Sequence, residues 1–405
     1  MEMLRYEDAR QMVITQAEAL KGPHSLVSLP VSDALGYVLA EEIRSDRAYP
    51  PFDRSTRDGY AVRAKEAGPG KTMRCVGEIK AGDSVTEALA PGTCVQIMTG
   101  AAVPGGADAV VMIEFTGREG EGVTFQRETK PGQNIVPWGS EAKLGERALV
   151  AGLRLGFAEL AIAAQVGAAE VRCYKKPRVA ILSTGDEVVP ITEVPGPFRI
   201  RNSNSVSLGA QVRLAGGEPV LLGNAGDRVE ELAAKIEQGL REDMLVLSGG
   251  VSMGKYDLVE GVLKSMGAEF YFDAVAMRPG KPTVFGRVRN RLVFGLPGNP
   301  VSTMVTFHLF AIPAIDILSG AKARPLPVLQ ATLSKPLHEK PGLAHFLPAR
   351  LEWKGGSAQV AALEWQGSGD IATLSLANCF LVVPSDVQDM AAGESVSVLP
   401  RGDVL

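Results

Sequence analysis

Zinc-type cysteine chemistry has no foothold in this chain. Its four cysteines, Cys75, Cys94, Cys173 and Cys379, are scattered without a CxxC pair, and no histidine stands near them at a ligand spacing. They read as idle thiols behaving as small hydrophobes. No stretch reaches the roughly 18 apolar residues of a bilayer span. Residues 1–10 carry acids where a signal peptide has an apolar centre, so a cytoplasmic protein with no membrane partner is expected. A formal net charge of −4 gives no sign of a polyanion-binding surface, and nucleic acid is not an expected partner. Low-complexity tracts and solenoid repeats are also missing. Arg401-Gly402-Asp403 is read as a chance turn.

What the chain does have is length and glycine. At 405 residues it exceeds the size at which one core stops growing, and 45 Gly with 26 Pro imply a loop-rich, β-containing protein. Apolar Met12, Val13, Ala17 and Leu20 predict a helix over residues 6–20, and a second short helix is expected over 31–41. Pro50-Pro51 then breaks the pattern, and short strands between glycines (72–76, 94–98, 109–113) follow up to residue 138. Helical texture returns at 157–166. The expected organisation is a discontinuous helical and extended linking domain (1–48 and 140–175) interrupted by a β-rich insert (49–139).

From residue 176 short apolar strands alternate with amphipathic helices, the signature of βαβ units around a mostly parallel sheet. Strands are expected at 179–182, 219–222 and 244–247, with a hairpin of 283–288 and 292–296. Helices are expected at 203–214 and 258–266. Asp227 and Glu230 have capping-box spacing and open a helix to 240. Asn299 with Pro300 predicts the N-terminus of the last helix. The α/β domain covers 176–322. A small β domain, barrel-like, covers 323–405, with strands at 328–333, 346–351, 359–363 and 380–383.

In an open parallel sheet, ligands bind at the carboxyl ends of strands. Three loops fall there: Ser183-Thr184-Gly185-Asp186-Glu187, Ser248-Gly249-Gly250-Val251-Ser252-Met253-Gly254, and Leu296-Pro297-Gly298-Asn299-Pro300. Small residues and hydroxyls let backbone N–H groups approach an anion, although any one such loop alone also fits a plain tight turn. Asp186, Glu187, Asp227 and Asp257 lie in or just after these loops and could hold Mg²⁺ through oxygen ligands, with Asp227 equally explained as a cap. Arg278-Pro279-Gly280-Lys281-Pro282 places two cations around a turn, suited to a phosphate or another oxyanion. These residues point to phosphoanhydride or nucleotide chemistry and name no substrate.

Together the motifs resemble the molybdopterin molybdenumtransferases, the MoeA and gephyrin E-domain family, over nearly the whole chain. The resemblance rests on Pro51-Phe52-Asp53-Arg54-Ser55 with Asp58-Gly59-Tyr60-Ala61-Val62, on Ile97-Met98-Thr99-Gly100-Ala101, and on the three loops and the cationic turn above. It implies a multidomain α/β plus β fold with a molybdopterin-binding-like α/β domain. It also implies a homodimer whose active-site cleft lies between the α/β domain of one subunit and the β-rich domain of the other. Asp58 and Thr99 would line one wall of that cleft; Glu187, Asp227, Asp257 and Lys281 would line the other. Arg350 and Ser368 match positions near the substrate. Two departures stand out: Val136-Pro137-Trp138-Gly139-Ser140-Glu141 replaces an Arg-x-x-Gly-Glu-Asp run, leaving Glu141 as the remaining acid, and Arg278 replaces a lysine.

The implied reaction takes adenylated molybdopterin and molybdate to molybdenum cofactor and AMP, with Mg²⁺. Its expected neighbours are the molybdopterin adenylyltransferase upstream and the molybdoenzyme apoproteins downstream. Two other readings stay open. One is an adenylyltransferase-type activity of the α/β domain, and the other is a non-catalytic dimeric scaffold, which would need an exposed apolar groove.

Overall fold

A computed structural model describes residues 3–20, 25–250 and 258–404. Asp257 and the loop residues from Val251 to Gly254 therefore lie outside the described residues. At the centre is a six-stranded sheet in the order Glu218–Ala225, Arg178–Thr184, Met244–Ser248, Arg291–Leu296, Val284–Val288, Glu269–Phe272. The first four strands run parallel, and Val284–Val288 and Glu269–Phe272 each run antiparallel to a neighbour. The inner strands are apolar on both faces: every residue from Val179 to Thr184 and from Met244 to Ser248 is buried. A parallel sheet covered on both sides by helices requires this. Arg289 and Asn290, at φ 47° and 64°, turn the hairpin between Val284–Val288 and Arg291–Leu296.

The chain leaves Arg178–Thr184 for the strand on one side and then crosses to Met244–Ser248 on the other. The carboxyl ends of these two strands form the switch point of the sheet. Helix Ser203–Ala215 starts there, its N-cap Asn202 accepting the Ser205 N–H at 3.0 Å, and it stops at Gly216 with φ 96°. The expected cap at Asp227 is not formed. Helix Val229–Gly239 begins two residues later behind Arg228, and Glu231, not Glu230, reaches back to the Gly226 N–H at 3.4 Å.

The second helix expected at 31–41 is also absent. Only a 3-10 turn, Val31–Asp33, forms, followed by Gly36 at φ 76° and the buried strand Val38–Leu39. Pairing of that strand with Cys173 and Tyr174, a tertiary contact, outweighs weak local helical periodicity. The first helix, Tyr6–Ala19, forms as expected, and its Ala9, Val13 and Ala17 enter the core of the α/β domain beside Ala311 and Ile315.

The β-rich region is a six-stranded half-barrel in the order Ala109–Met112, Gly59–Val62, Thr93–Ile97, Thr72–Ile79, Gly122–Phe125, Thr116–Glu119. In the C-terminal region Ala344–Lys354, Ser357–Ala362, Leu329–Leu333, Ser395–Pro400 and Cys379–Val383 close on one another as a five-stranded barrel. Met277–Arg278 adds to Ala344–Lys354 in parallel, which fixes the cationic turn to the barrel wall.

Among the described residues one helix, Pro300–Leu318, is long and apolar enough to cross a membrane by length and composition, contrary to the reading of the sequence, with a mean hydropathy of 1.7. It is 78% buried inside the protein, as a core helix is. Near its end Asp316, 1% exposed, accepts from Arg154 Nη2 at 3.0 Å and from Arg324 Nε at 2.8 Å. Asp316→Ala would strand two guanidinium groups and should lower the unfolding free energy by about 3 kcal/mol. A urea midpoint equal to that of the unaltered protein would show that this cluster does not hold the domains together.

Candidate active site

Three loops meet at the switch point, and at Gly249 the approach is close enough that only glycine fits. Gly249, at φ 92°, lies so near the Thr184 carbonyl that a Cβ there would sit 2.8 Å from its oxygen. Its N–H donates to the Leu296 carbonyl at 3.1 Å, and a Cβ on Gly298 would lie 3.5 Å from the Gly249 Cα. Thr184, Gly249 and Gly298, each predicted from a different motif, are thus packed in one row.

Hydroxyls and amides join the row. Ser183 Oγ donates to Asn202 Oδ1 at 2.9 Å and meets Ser205 Oγ at 2.9 Å. Asn204 Nδ2 donates to Ser248 Oγ and to the Gly298 carbonyl, both at 2.8 Å, and so ties the second loop to the third. Asn224 Nδ2 holds the Gly185 carbonyl at 2.9 Å. Sequence reasoning missed all three asparagines, although Asn202-Ser203-Asn204-Ser205 opening a helix was a visible signal. Thr184 Oγ1, in a residue 4% exposed, has no hydrogen-bond partner among the described residues. A buried hydroxyl left open at a strand end suits a ligand group.

The carboxylates divide. Asp186 Oδ1 accepts the Asp227 N–H at 3.0 Å, so these two acids stand side by side. Glu187 folds back over Gly185, whose φ of 121° leaves room for it. No group of three His, Cys, Asp or Glu side chains that could hold a metal occurs among the described residues, and Asp257 is not one of them.

Beside the row lies a cavity of about 580 Å³. Arg278 and Lys281 line it from the cationic turn, Pro297 and Asn299 from the third loop, and Trp365 and Ser368 from the barrel region. Asn299 is the N-cap of Pro300–Thr306, but its side chain makes no cap bond; Nδ2 donates to Ser368 Oγ at 2.8 Å instead. The Val301 N–H donates to the Ser368 carbonyl at 3.0 Å. Arg278 and Lys281 give this hollow a cationic wall, a setting suited to an anion. Arg350 is not in this lining: its Nη1 donates to the Leu376 carbonyl at 3.2 Å.

Asp58 and Thr99 come together in the β-rich domain and line neither this cavity nor the strand-end row. Asp58 Oδ1 accepts the Thr99 N–H at 2.6 Å and its hydroxyl at 2.8 Å. Those two bonds, backbone first, hold the Asp58 carboxyl below its ordinary value. The departing segment is bound to the same motif: Trp138 N–H donates to Asp53 Oδ1 at 2.7 Å, and Glu141 pairs with Arg54 at 2.8 Å.

Comparison with known proteins places this geometry. The chain matches three family models: the MoeA N-terminal region (domain I and II) at residues 4–167, the probable molybdopterin binding domain at 180–316, and the MoeA C-terminal region (domain IV) at 330–400. A relative named molybdopterin molybdenumtransferase from Haemophilus influenzae is 34% identical over 407 residues, 100% of both chains. One of the same name from Bacillus subtilis is 34% identical over 379 residues, covering 91% of this chain and 88% of its own. A solved molybdopterin biosynthesis moeA protein from Pyrococcus horikoshii superimposes with TM-score 0.81 at 28% identity, over 99% of this chain and 100% of that one. Another solved moea structure from Pyrococcus has TM-score 0.75 at 31% identity, over 98% and 99%.

Thr99→Val should raise the Asp58 titration back towards 3.8, followed by carboxyl NMR. The shift is downward in the folded protein. The stability it contributes is therefore present above 3.8 and lost as pH falls through the depressed value. An unmoved titration would show that the Thr99 hydroxyl adds nothing to the hold of its backbone N–H on the carboxylate.

Proposed function

This chain belongs to the MoeA family, the molybdopterin molybdenumtransferases, and inserts molybdenum into molybdopterin in cofactor biosynthesis; from that premise we propose that its substrates are adenylated molybdopterin and molybdate and that AMP is released. The observation that carries this reading is the 580 Å³ cavity, in which Arg278 and Lys281 face the helix N-terminus at Asn299. Molybdate and phosphate are both tetrahedral oxyanions, and the same cations and N–H groups can gather either. The hydroxyl and amide row from Ser183 to Ser248 fixes the loop backbones beside it, so that bound groups meet preset donors.

Mg²⁺ is a further part of the proposal. Asp186 and Asp227 offer neighbouring oxygen donors, and Mg²⁺ binds through one or two carboxylates plus substrate phosphates and water. Asp186 and Asp227 would hold the ion, with Asp257 and Glu187 as the further candidates, and when bound it would neutralise charge on the phosphoanhydride. Lys281 and Arg278 supply fixed positive charge to the departing phosphate without moving a proton.

A homodimer completes the reading. Asp58 and Thr99 stand apart from the cavity within one chain, so a second copy would bring them to it. Phe198, Phe157 and Val194 are 93%, 88% and 82% exposed, and apolar surface of that kind is what a partner subunit covers. A cytoplasmic location fits a chain in which the one membrane-length helix among the described residues is mostly buried in the core.

Purified protein given adenylated molybdopterin should release AMP only with molybdate and Mg²⁺, resolved by chromatography. Pyrophosphate release from ATP would favour the adenylyltransferase reading, and no release from a folded dimer would favour the scaffold. Lys281→Ala should lower the rate by about 100-fold or more with unchanged unfolding. Glu187→Gln with full AMP release would remove Glu187 from the metal site.

A further inference from the structure

A second hollow, about 520 Å³, opens along the middle of helix Pro300–Leu318, away from its N-terminus. Its lining is mostly apolar, with Leu214, Met304, Ile312, Leu329, Leu374 and Phe380 contributed by the α/β domain, the linker and the barrel. That volume lies within the range of small-molecule sites. Three arginines also line it: Arg10, Arg324 and Arg401.

Arg10 is the anomaly. It is only 7% exposed, yet its guanidinium donates to two carbonyls, Leu309 at 2.8 Å and Arg324 at 2.5 Å, and forms no ion pair among the described residues. Nearby acids are already engaged. Asp316 is shared by Arg154 and Arg324, and Asp403 pairs with Arg401 at 2.6 Å. Four guanidinium groups therefore share two carboxylates. A neutral amide would serve two carbonyls equally well, whereas a buried full charge beside an apolar hollow calls for a counter-ion. Arg324 uses Nε and Nη2 for Asp316 and the Ala215 carbonyl, which leaves Nη1 for a ligand. His308, on the π-helical turn Phe307–Ala311, also lines the cavity. Burial, Arg10 and Arg324 push its pKa down to about 4 against the opposing pull of Asp403, so the imidazole is neutral in a positive field.

We propose that this cavity binds a small organic monoanion, a carboxylate carried on an apolar body, with its head at Arg10 and Arg324 and its body against Leu329, Leu374 and Phe380. The ligand bridges the first helix, the core helix, the linker and the barrel, and it shares no lining residue with the substrate cavity.

Octanoate and its uncharged counterpart octanamide separate charge from shape as probes, titrated into the full chain by calorimetry. Octanoate should bind at one site per chain and at least about tenfold more tightly than octanamide. It should also shift the His308 ring resonances. Arg10→Gln, which removes the charge and keeps an N–H donor, should reduce octanoate to the octanamide level. Ala210→Trp, at an exposed position on the cavity lining, should block both probes and leave unfolding unchanged. The proposal is overturned if octanoate does not bind, if the two probes bind equally, or if Ala210→Trp binds octanoate as the unaltered protein does.

Discussion

Everything else in the molecule is arranged around the need to cover one apolar helix. Pro300–Leu318 is apolar over most of its length, and outside the half-buried stripe of Met304, His308 and Ile312 the protein supplies a different cover for each part of it. The parallel sheet lies on one flank. Helix Tyr6–Ala19, from the far end of the chain, lies along another, and the barrel region reaches its first turn through Ser368. Where the helix ends, Asp316 draws in Arg154 from the linking region and Arg324 from the linker. The start of the same helix lies at the hollow lined by Arg278, Lys281 and Asn299, so burying the helix also sets the position of that wall.

Positions fixed by backbone geometry were the legible ones. Ser183 to Glu187, Gly249 and Gly298 could be placed at strand ends because a buried strand followed by glycine has few other readings, and the structure packs them together. The hairpin turned by Arg289 and Asn290 follows the same logic. Less legible were features decided by distant partners. Residues 31–41 have helical spacing but form a strand because Cys173 and Tyr174 offer an edge. Asp227 has cap spacing but stands outside the helix, where its N–H meets Asp186. Arg350 lies on a barrel strand whose local fold turns it to the Leu376 carbonyl. No local pattern shows that Asn204 ties two loops, since its acceptors are 44 and 94 residues away.

The membership of the family and the arrangement of the site support each other at different levels. Family models covering most of the chain establish what is made. The cavity adds which of this chain's own side chains line that hollow, among them a guanidinium at 278 and a tryptophan at 365. Arg278 can offer two parallel N–H donors to one oxyanion, a geometry an ammonium lacks.

The half-barrel joins the rest of the molecule at a narrow neck. The Tyr49 N–H donates to the Ala142 carbonyl at 2.8 Å, and Ile43–Arg44 pairs with Arg147–Leu149 just below. Entry and exit of the insert are thus one hydrogen bond apart. An ancestral protein could have acquired this half-barrel by a single splice into a loop without rerouting any strand of the recipient. A descendant could lose or exchange it just as cleanly, leaving the six-stranded α/β sheet and its strand-end loops as they are.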